Sequence, residues 1–181
     1  MSRTIYYTAS SLDGFIADEK ASLEWLLRQD QDTAGPLNYD DFFAGIGATV
    51  MGSTTYEWVV DHEQGKWVYD IPAWVMTSRD LPKVQGDVRF AAGDVRPVHA
   101  AMTDAAGGKD LWVVGGGDLA GQFADAGLLD ELIVYFAPVT LGAGAPLLPR
   151  QLDLHLEELA QNRAFACARY SIAPKSPPTG P

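Results

Sequence analysis

The stretch Leu111–Phe123 reads LWVVGGGDLAGQF, an apolar strand that runs directly into three glycines and then into a helical pattern. Glycine lets the backbone take positive φ and approach a ligand closely, while the free N–H groups and positive dipole end of a following helix favour an anion. The triplet matches neither GxGxxG nor the GxxxxGK-S/T phosphate loop, so by itself it reads equally as a phosphate cradle or as a tight turn.

The recurrence of this junction constrains the fold. Ala48–Met51 leads through Gly52 into the hydroxyl-rich helix start Ser53–Glu57, a second strand–Gly–helix junction. Ala73–Thr77 is a strand with Pro72 at its mouth and Thr77, Ser78 and Arg79 at its end; Val88–Phe90 is a shorter one, and Val95–Ala106 is a helix closed by Gly107 and Gly108. Upstream, Ile5–Ala9 is a first strand, Ser10–Gly14 a turn and Phe15–Ala17 a short apolar return. Leu23, Leu26 and Leu27 mark one helical face, and Tyr39, Phe42, Phe43 and Ile46 a second, with Asp30–Pro36 as the loop between. After the triplet, Leu119, Phe123 and Ala126 repeat on one face, and Glu131–Phe136 is a β-branched and aromatic strand.

Alternating strands and helices predict an α/β fold, a mostly parallel central sheet with helices on both faces, right-handed crossovers and a crevice at the carboxyl ends of the strands. Past Pro138, Leu141–Pro146 reads as a loop. Leu152, Leu154 and Leu156, then Ala164, Ala166, Ala168 and Tyr170, alternate as a closing antiparallel hairpin whose apolar residues could meet a partner. The expectation is one domain over residues 1–174 and a disordered tail over 175–181, rich in proline and without apolar anchors.

Among the 181 residues only 13 are Lys or Arg, scattered along a chain of net charge -11, which argues against nucleic acid and acidic membrane surfaces as partners. No apolar run approaches the roughly 20 residues of a membrane span, and the N-terminus carries no signal-like apolar core, so a cytoplasmic location is expected. The single cysteine, Cys167, lies in a strand-like setting and is read as a core thiol. His62, His99 and His155 are isolated, so no metal site is expected. Core packing accounts for most of the tryptophans, with Trp25 or Trp67 as candidates to close over a flat ligand.

Taken in order, Ser11–Gly14 (SLDG), Val50–Glu57 (VMGSTTYE), Val114–Gly117 (VGGG), Gly127–Glu131 (GLLDE), Tyr135–Pro138 (YFAP) and Leu141–Gly144 (LGAG) resemble the dihydrofolate-reductase-like superfamily. Its branch containing the reductase domain of the bifunctional riboflavin-biosynthesis deaminase/reductase is the most similar, over Tyr6 to about Ala173. The resemblance implies a three-layer fold, NADPH as cofactor and an oxidoreductase activity. Gly115, Gly116, Gly117, Asp118 and Leu119 would take the pyrophosphate. Gly52, Thr54 and Thr55 would contact pyrophosphate and adenosine ribose, with Thr77, Ser78 and Arg79 at the adenosine end, and Ala9 and Ile16 would hold the nicotinamide carboxamide through backbone groups. Asp13 either orients substrate or caps its own turn, and Tyr135 either donates to substrate or belongs to the core. No residue is identified as the catalytic acid, which leaves water as the simplest proton source.

The reaction the resemblance implies is reduction of 5-amino-6-(5-phosphoribosylamino)uracil in riboflavin biosynthesis. The alternatives are reduction of dihydrofolate, another pterin or a carbonyl compound, and a non-catalytic NADP-binding module. Three departures bear on this choice. Ser53 stands where dihydrofolate reductases carry an arginine, and no carboxylate occupies the place of their pterin-binding acid, near Pro36–Asn38. Phe15 follows the SLDG turn where the riboflavin branch commonly has lysine. No zinc signature of a deaminase is present, so the chain would supply the reductase half. Related reductases are commonly dimers, and a homodimer is expected.

Overall fold

The computed structural model describes residues 1–173. Its elements, in chain order, are β1 (Thr4–Ser11), β2 (Phe15–Ala17), α1 (Glu24–Leu27), α2 (Tyr39–Ala44), β3 (Ile46–Gly52), α3 (Ser53–His62), β4 (Ala73–Met76), β5 (Val88–Ala91), α4 (Val95–Ala105), β6 (Asp110–Gly115), α5 (Gly117–Asp125), β7 (Glu131–Ala137), β8 (Ala145–Pro146), β9 (Leu154–Asn162) and β10 (Phe165–Ile172). Among the described residues, eight strands form one sheet in the order β5-β4-β3-β6-β1-β7-β10-β9. Neighbours from β5 to β7 pair in parallel, and β10 is antiparallel to both β7 and β9. The expected parallel sheet and closing hairpin are therefore both present.

Central strands buried on both faces need continuous apolar runs, and β3 (IGATVMG) is buried from Ile46 to Met51. Successive side chains point to opposite faces, which divides the core. Tyr6, Ala48, Val50, Leu111 and Val113 pack with Val98 and Met102 of α4 and with Leu119 and Phe123 of α5. On the other face, Met51, Val75 and Val88 meet Tyr56 of α3, and Trp25 of α1 joins Tyr135, Phe165 and the buried Cys167. Helices thus cover both faces.

Four local readings change; Ser10 and Ser11, read as turn residues, are the last two residues of β1 and pair with Phe136 and Ala137 of β7. Ile46 lies at helical spacing from Phe42 and Phe43, yet α2 stops at Gly45 and Ile46 already pairs with Asp110 as the first residue of β3. The first strand of the hairpin begins at Leu154 rather than Leu152 and extends to Asn162. Ala145–Pro146, expected within a loop, pairs with β2 as a separate two-stranded ribbon. That ribbon fixes Ile16, Ala145 and Pro146 at the rim of the site described next. The tail at 175–181 lies outside the described residues. No described helix is long and apolar enough to cross a membrane.

Candidate active site

A helix start leaves its first N–H groups without partners inside the helix. In α2 the Asn38 side chain accepts from the Asp41 N–H, and in α4 Asp94 accepts from the Arg96 N–H. In α3 and α5 the N-cap residues are Gly52 and Gly116, and neither helix has a side-chain cap. These two helices start side by side, because β3 and β6 are paired neighbours with Met51 opposite Gly115; a Cβ added to Gly52 would lie 3.9 Å from Gly115 O and Gly116 N. Two sets of unpaired donors and two positive dipole ends therefore meet in one place.

The three glycines have different reasons to be glycine. Gly115 has φ +152°, a backbone conformation that favours glycine. At Gly117 a Cβ would sit 2.2 Å from Pro146 O, so close approach of the β8 backbone excludes any side chain. At Gly116 φ is -83°, and a Cβ would meet only Ile16 Cδ1, at 3.8 Å. Among the described residues no contact requires Gly116 to lack a side chain; it faces open space.

That space is a cleft of about 630 Å³ lined by Ile16, Gly52, Thr54, Thr55, Gly115, Gly116, Gly117, Asp118 and Leu119, nine of the thirteen residues singled out for the cofactor. Asp118 carries a negative charge into it, but its carboxylate bonds Gln122 Nε2 at 2.9 Å and Arg150 at 3.1 Å, which holds its pKa below the usual value. The other four lie elsewhere. Ala9 lines an adjoining chamber. Thr77, Ser78 and Arg79 follow Met76, which is in the cleft wall; Arg79 pairs with Glu57 Oε2 at 2.5 Å, and its backbone N–H donates to Thr77 Oγ1.

The adjoining chamber, of about 320 Å³, has walls of Tyr7, Trp112, Tyr135 and Phe165, with Thr8, Gln29 and Gln31 among its polar residues. Thr8 and Val114 line both spaces and mark where they join. Tyr135 thus borders the chamber, but its hydroxyl donates to Pro36 O at 2.7 Å and accepts from Asn162 Nδ2 at 3.2 Å. The Tyr7 hydroxyl donates to Leu37 O at 3.0 Å. Burial raises the pKa of both phenols. Asn162, only 2% exposed, also clamps Asp32 through its backbone N–H and carbonyl, so the 30–38 segment is strapped across the aromatic wall.

Asp13 lies outside both linings. It accepts from the Ser11 hydroxyl and from the N–H groups of Leu141 and Gly142, which hold its carboxyl down at about 2 and tie the SLDG turn to the LGAG loop. Trp25 and Trp67 border neither space; the tryptophans that do are Trp112 and Trp58, the latter stacked on His62 at 4.5 Å between centroids. Thr8, Gln29, Gln31, Trp58 and Asn162 were not legible from sequence as site residues. Thr8 is the neighbour of Ala9, and Gln29 and Gln31 flank the start of what reads only as a loop.

The family model described as RibD C-terminal domain matches residues 3–168. The uncharacterized protein YwjB of Bacillus subtilis is 31% identical over 145 residues, covering 80% of this chain and 82% of that protein. A putative riboflavin biosynthesis protein from Shewanella sp. PV-4 superposes with TM-score 0.81 at 24% identity, over 95% of this chain and 99% of its own. Dihydrofolate reductase from Enterococcus faecalis, complexed with NADP(H), gives TM-score 0.56 at 15% identity, over 94% and 96% of the two chains. The fold is therefore that of dihydrofolate reductase.

Proposed function

Because this chain belongs to the RibD C-terminal domain family, we propose that it is an NADPH-dependent reductase of a small heterocyclic substrate. One observation carries the reading: α3 and α5, neither with a side-chain cap, start together on one cleft, and that cleft joins an aromatic chamber at Thr8 and Val114. The dihydrofolate reductase of the same fold, described in complex with NADP(H), supports the choice of cofactor.

The first-turn N–H groups of α3 and α5 would hold the pyrophosphate, Thr54 and Thr55 the adenosine ribose, and Ile16 and Ala9 the carboxamide. Thr77, Ser78 and Arg79 would meet the 2′-phosphate. For this Arg79 gives up an exposed ion pair with Glu57, a contact of the kind worth about 0–1 kcal/mol. NADPH supplies a hydride to an electrophilic carbon, and the heteroatom bonded to that carbon gains one proton. The protein contributes alignment and exclusion of water. With the Tyr7 and Tyr135 hydroxyls committed to backbone carbonyls, water entering beside Thr8 would deliver the proton.

Loss of NADPH absorbance, followed against a panel of ribosylaminopyrimidines, pterins including dihydrofolate, and simple carbonyl compounds, tests this reading. Turnover of a pyrimidine-type heterocycle and none of dihydrofolate is expected, since no carboxylate lines the chamber to grip a pterin. NADPH binding without any oxidation would favour the non-catalytic module.

A homodimer through the outer edge of the sheet accompanies this reading. Leu154, Leu156 and Leu159 of β9 are 37%, 56% and 69% exposed. The register shift beside Tyr170 sets them opposite Ile172, Tyr170 and Ala168, so all three share one face. An apolar edge strand left open invites pairing. Light scattering should give twice the chain mass, and Leu156→Lys with Leu159→Lys should give the monomer; a monomeric parent would contradict this.

A further inference from the structure

We propose that the chamber beside Thr8 selects an uncharged, flat heterocycle that carries no phosphate, so that this chain reduces an unphosphorylated relative of the phosphoribosylaminopyrimidine; the proposal rests on the reductase reading above. At about 320 Å³ the chamber lies at the lower end of the roughly 300–1,000 Å³ typical of small-molecule sites. Its walls are rings in mutual contact: Tyr7 and Tyr135 centroids are 6.0 Å apart, Tyr135 and Phe165 5.4 Å, and Tyr7 meets Trp112 at 83°. Such walls reward a flat ring.

The polar groups left for a ligand are neutral. Both wall phenols donate to carbonyls of the strap, Leu37 O and Pro36 O. Gln29 spends Nε2 on Trp25 O at 2.7 Å and keeps its amide oxygen. Gln31 offers a whole amide, and the Thr8 hydroxyl has only a long 3.4 Å contact to Ala9 O. These are donors and acceptors suited to the edge of a uracil-like ring.

No residue lining the chamber is charged. Arg163, which reaches the strap, is ion-paired with Asp30 at 3.2 Å, and Asp30 and Asp32 flank Gln31. Phe15, where the riboflavin branch commonly has lysine, pairs with Pro146 in the β2–β8 ribbon and borders neither space, so that position adds no charge to the wall. At the rim Arg28, between Leu27 and Gln29, and Arg163 balance Asp30 and Asp32, so the discrimination rests on the wall: a phosphate dianion seated against it would lose hydration with no cation among the lining residues to replace it, whereas a neutral ring loses little.

The test uses NADPH-saturated protein and a matched pair, 5-amino-6-(ribosylamino)uracil and its 5′-phosphate. Binding is read from quenching of tryptophan fluorescence that disappears in Trp112→Phe, and catalysis from kcat/KM. The nucleoside should bind at least about tenfold more tightly and show at least about tenfold higher kcat/KM, the discrimination expected when one partner alone leaves a charge unpaired. Equal or better performance of the phosphate overturns the proposal, and so does failure of both compounds to perturb Trp112 at millimolar concentration. Gln31→Arg, which adds a cation at the wall, should narrow the difference by strengthening the phosphate ester alone, and an unchanged ratio would also overturn it. NADPH binding is measured first without substrate, so failure of the reductase reading appears separately, as absence of that binding or as binding of both compounds with no NADPH oxidised by either.

Discussion

Gly116→Val should weaken NADPH binding by at least about 100-fold, close to 2.7 kcal/mol, while the unfolding midpoint shifts by no more than about 2 °C. The reason is steric and local. Gly116 has φ -83°, and a Cβ there meets only Ile16 Cδ1 at 3.8 Å, so the fold has room for a Cβ and the methyls project toward the cleft side, where the fold is expected to tolerate them. The added methyls would occupy the space where the pyrophosphate meets the first turn of α5. Gly117→Val is the informative contrast, since its Cβ would lie 2.2 Å from Pro146 O and 2.5 Å from Leu147 O. That variant should lose stability first, by displacing β8, and cofactor binding as a result. Thermal unfolding beside NADPH titration separates the two; unchanged affinity in Gly116→Val would reduce the triplet to a structural turn.

Trp112→Ala should be the most destabilising single change at the chamber, by about 3–5 kcal/mol. Trp112 is 4% exposed and contacts the rings of Tyr7, Tyr39, Phe42, Phe43 and Tyr69, with centroids 5.6–6.5 Å away. Its Nε1 donates to Tyr7 O at 3.1 Å, so truncation adds an unpaired carbonyl to the cavity. At roughly 2–4 °C per kcal/mol for a chain of this size, the midpoint should fall by about 6–20 °C. Trp58→Ala should cost far less stability, because Trp58 is half-buried and stacks on His62 at the cleft wall. Urea unfolding of the two variants checks the ranking, and equal costs would mean that Trp112 is not the hub of the wall.

Where backbone does the work, the sequence was readable. The Gly52 and Gly115–Gly117 junctions could be placed at strand ends because glycine and a following helical pattern report directly on φ and on uncapped N–H groups. Alternation of period revealed the parallel sheet and the closing hairpin for the same reason. The strap was opaque: Asp30–Pro36 shows only turn residues, and its placement depends on Asn162, 130 positions from Asp32 in sequence. A contact of that separation leaves no local pattern. The end of α2 failed differently, since Ile46 keeps helical spacing although the chain has already turned at Gly45 into β3. Asp13 and Tyr135 were each open to two readings because sequence cannot say whether a polar group already has partners. In the fold, the partners are Leu141, Gly142 and Ser11 for one, and Pro36 and Asn162 for the other.

Calorimetric titration of NADPH into the protein, repeated with Gly116→Val, tests the central claim most directly. One NADPH should bind per chain with a dissociation constant in the micromolar range, about -8 kcal/mol, and the variant should bind at least about 100-fold more weakly while its fold persists. Absence of binding by the parent protein at millimolar NADPH would contradict the claim that the paired starts of α3 and α5 are a dinucleotide site.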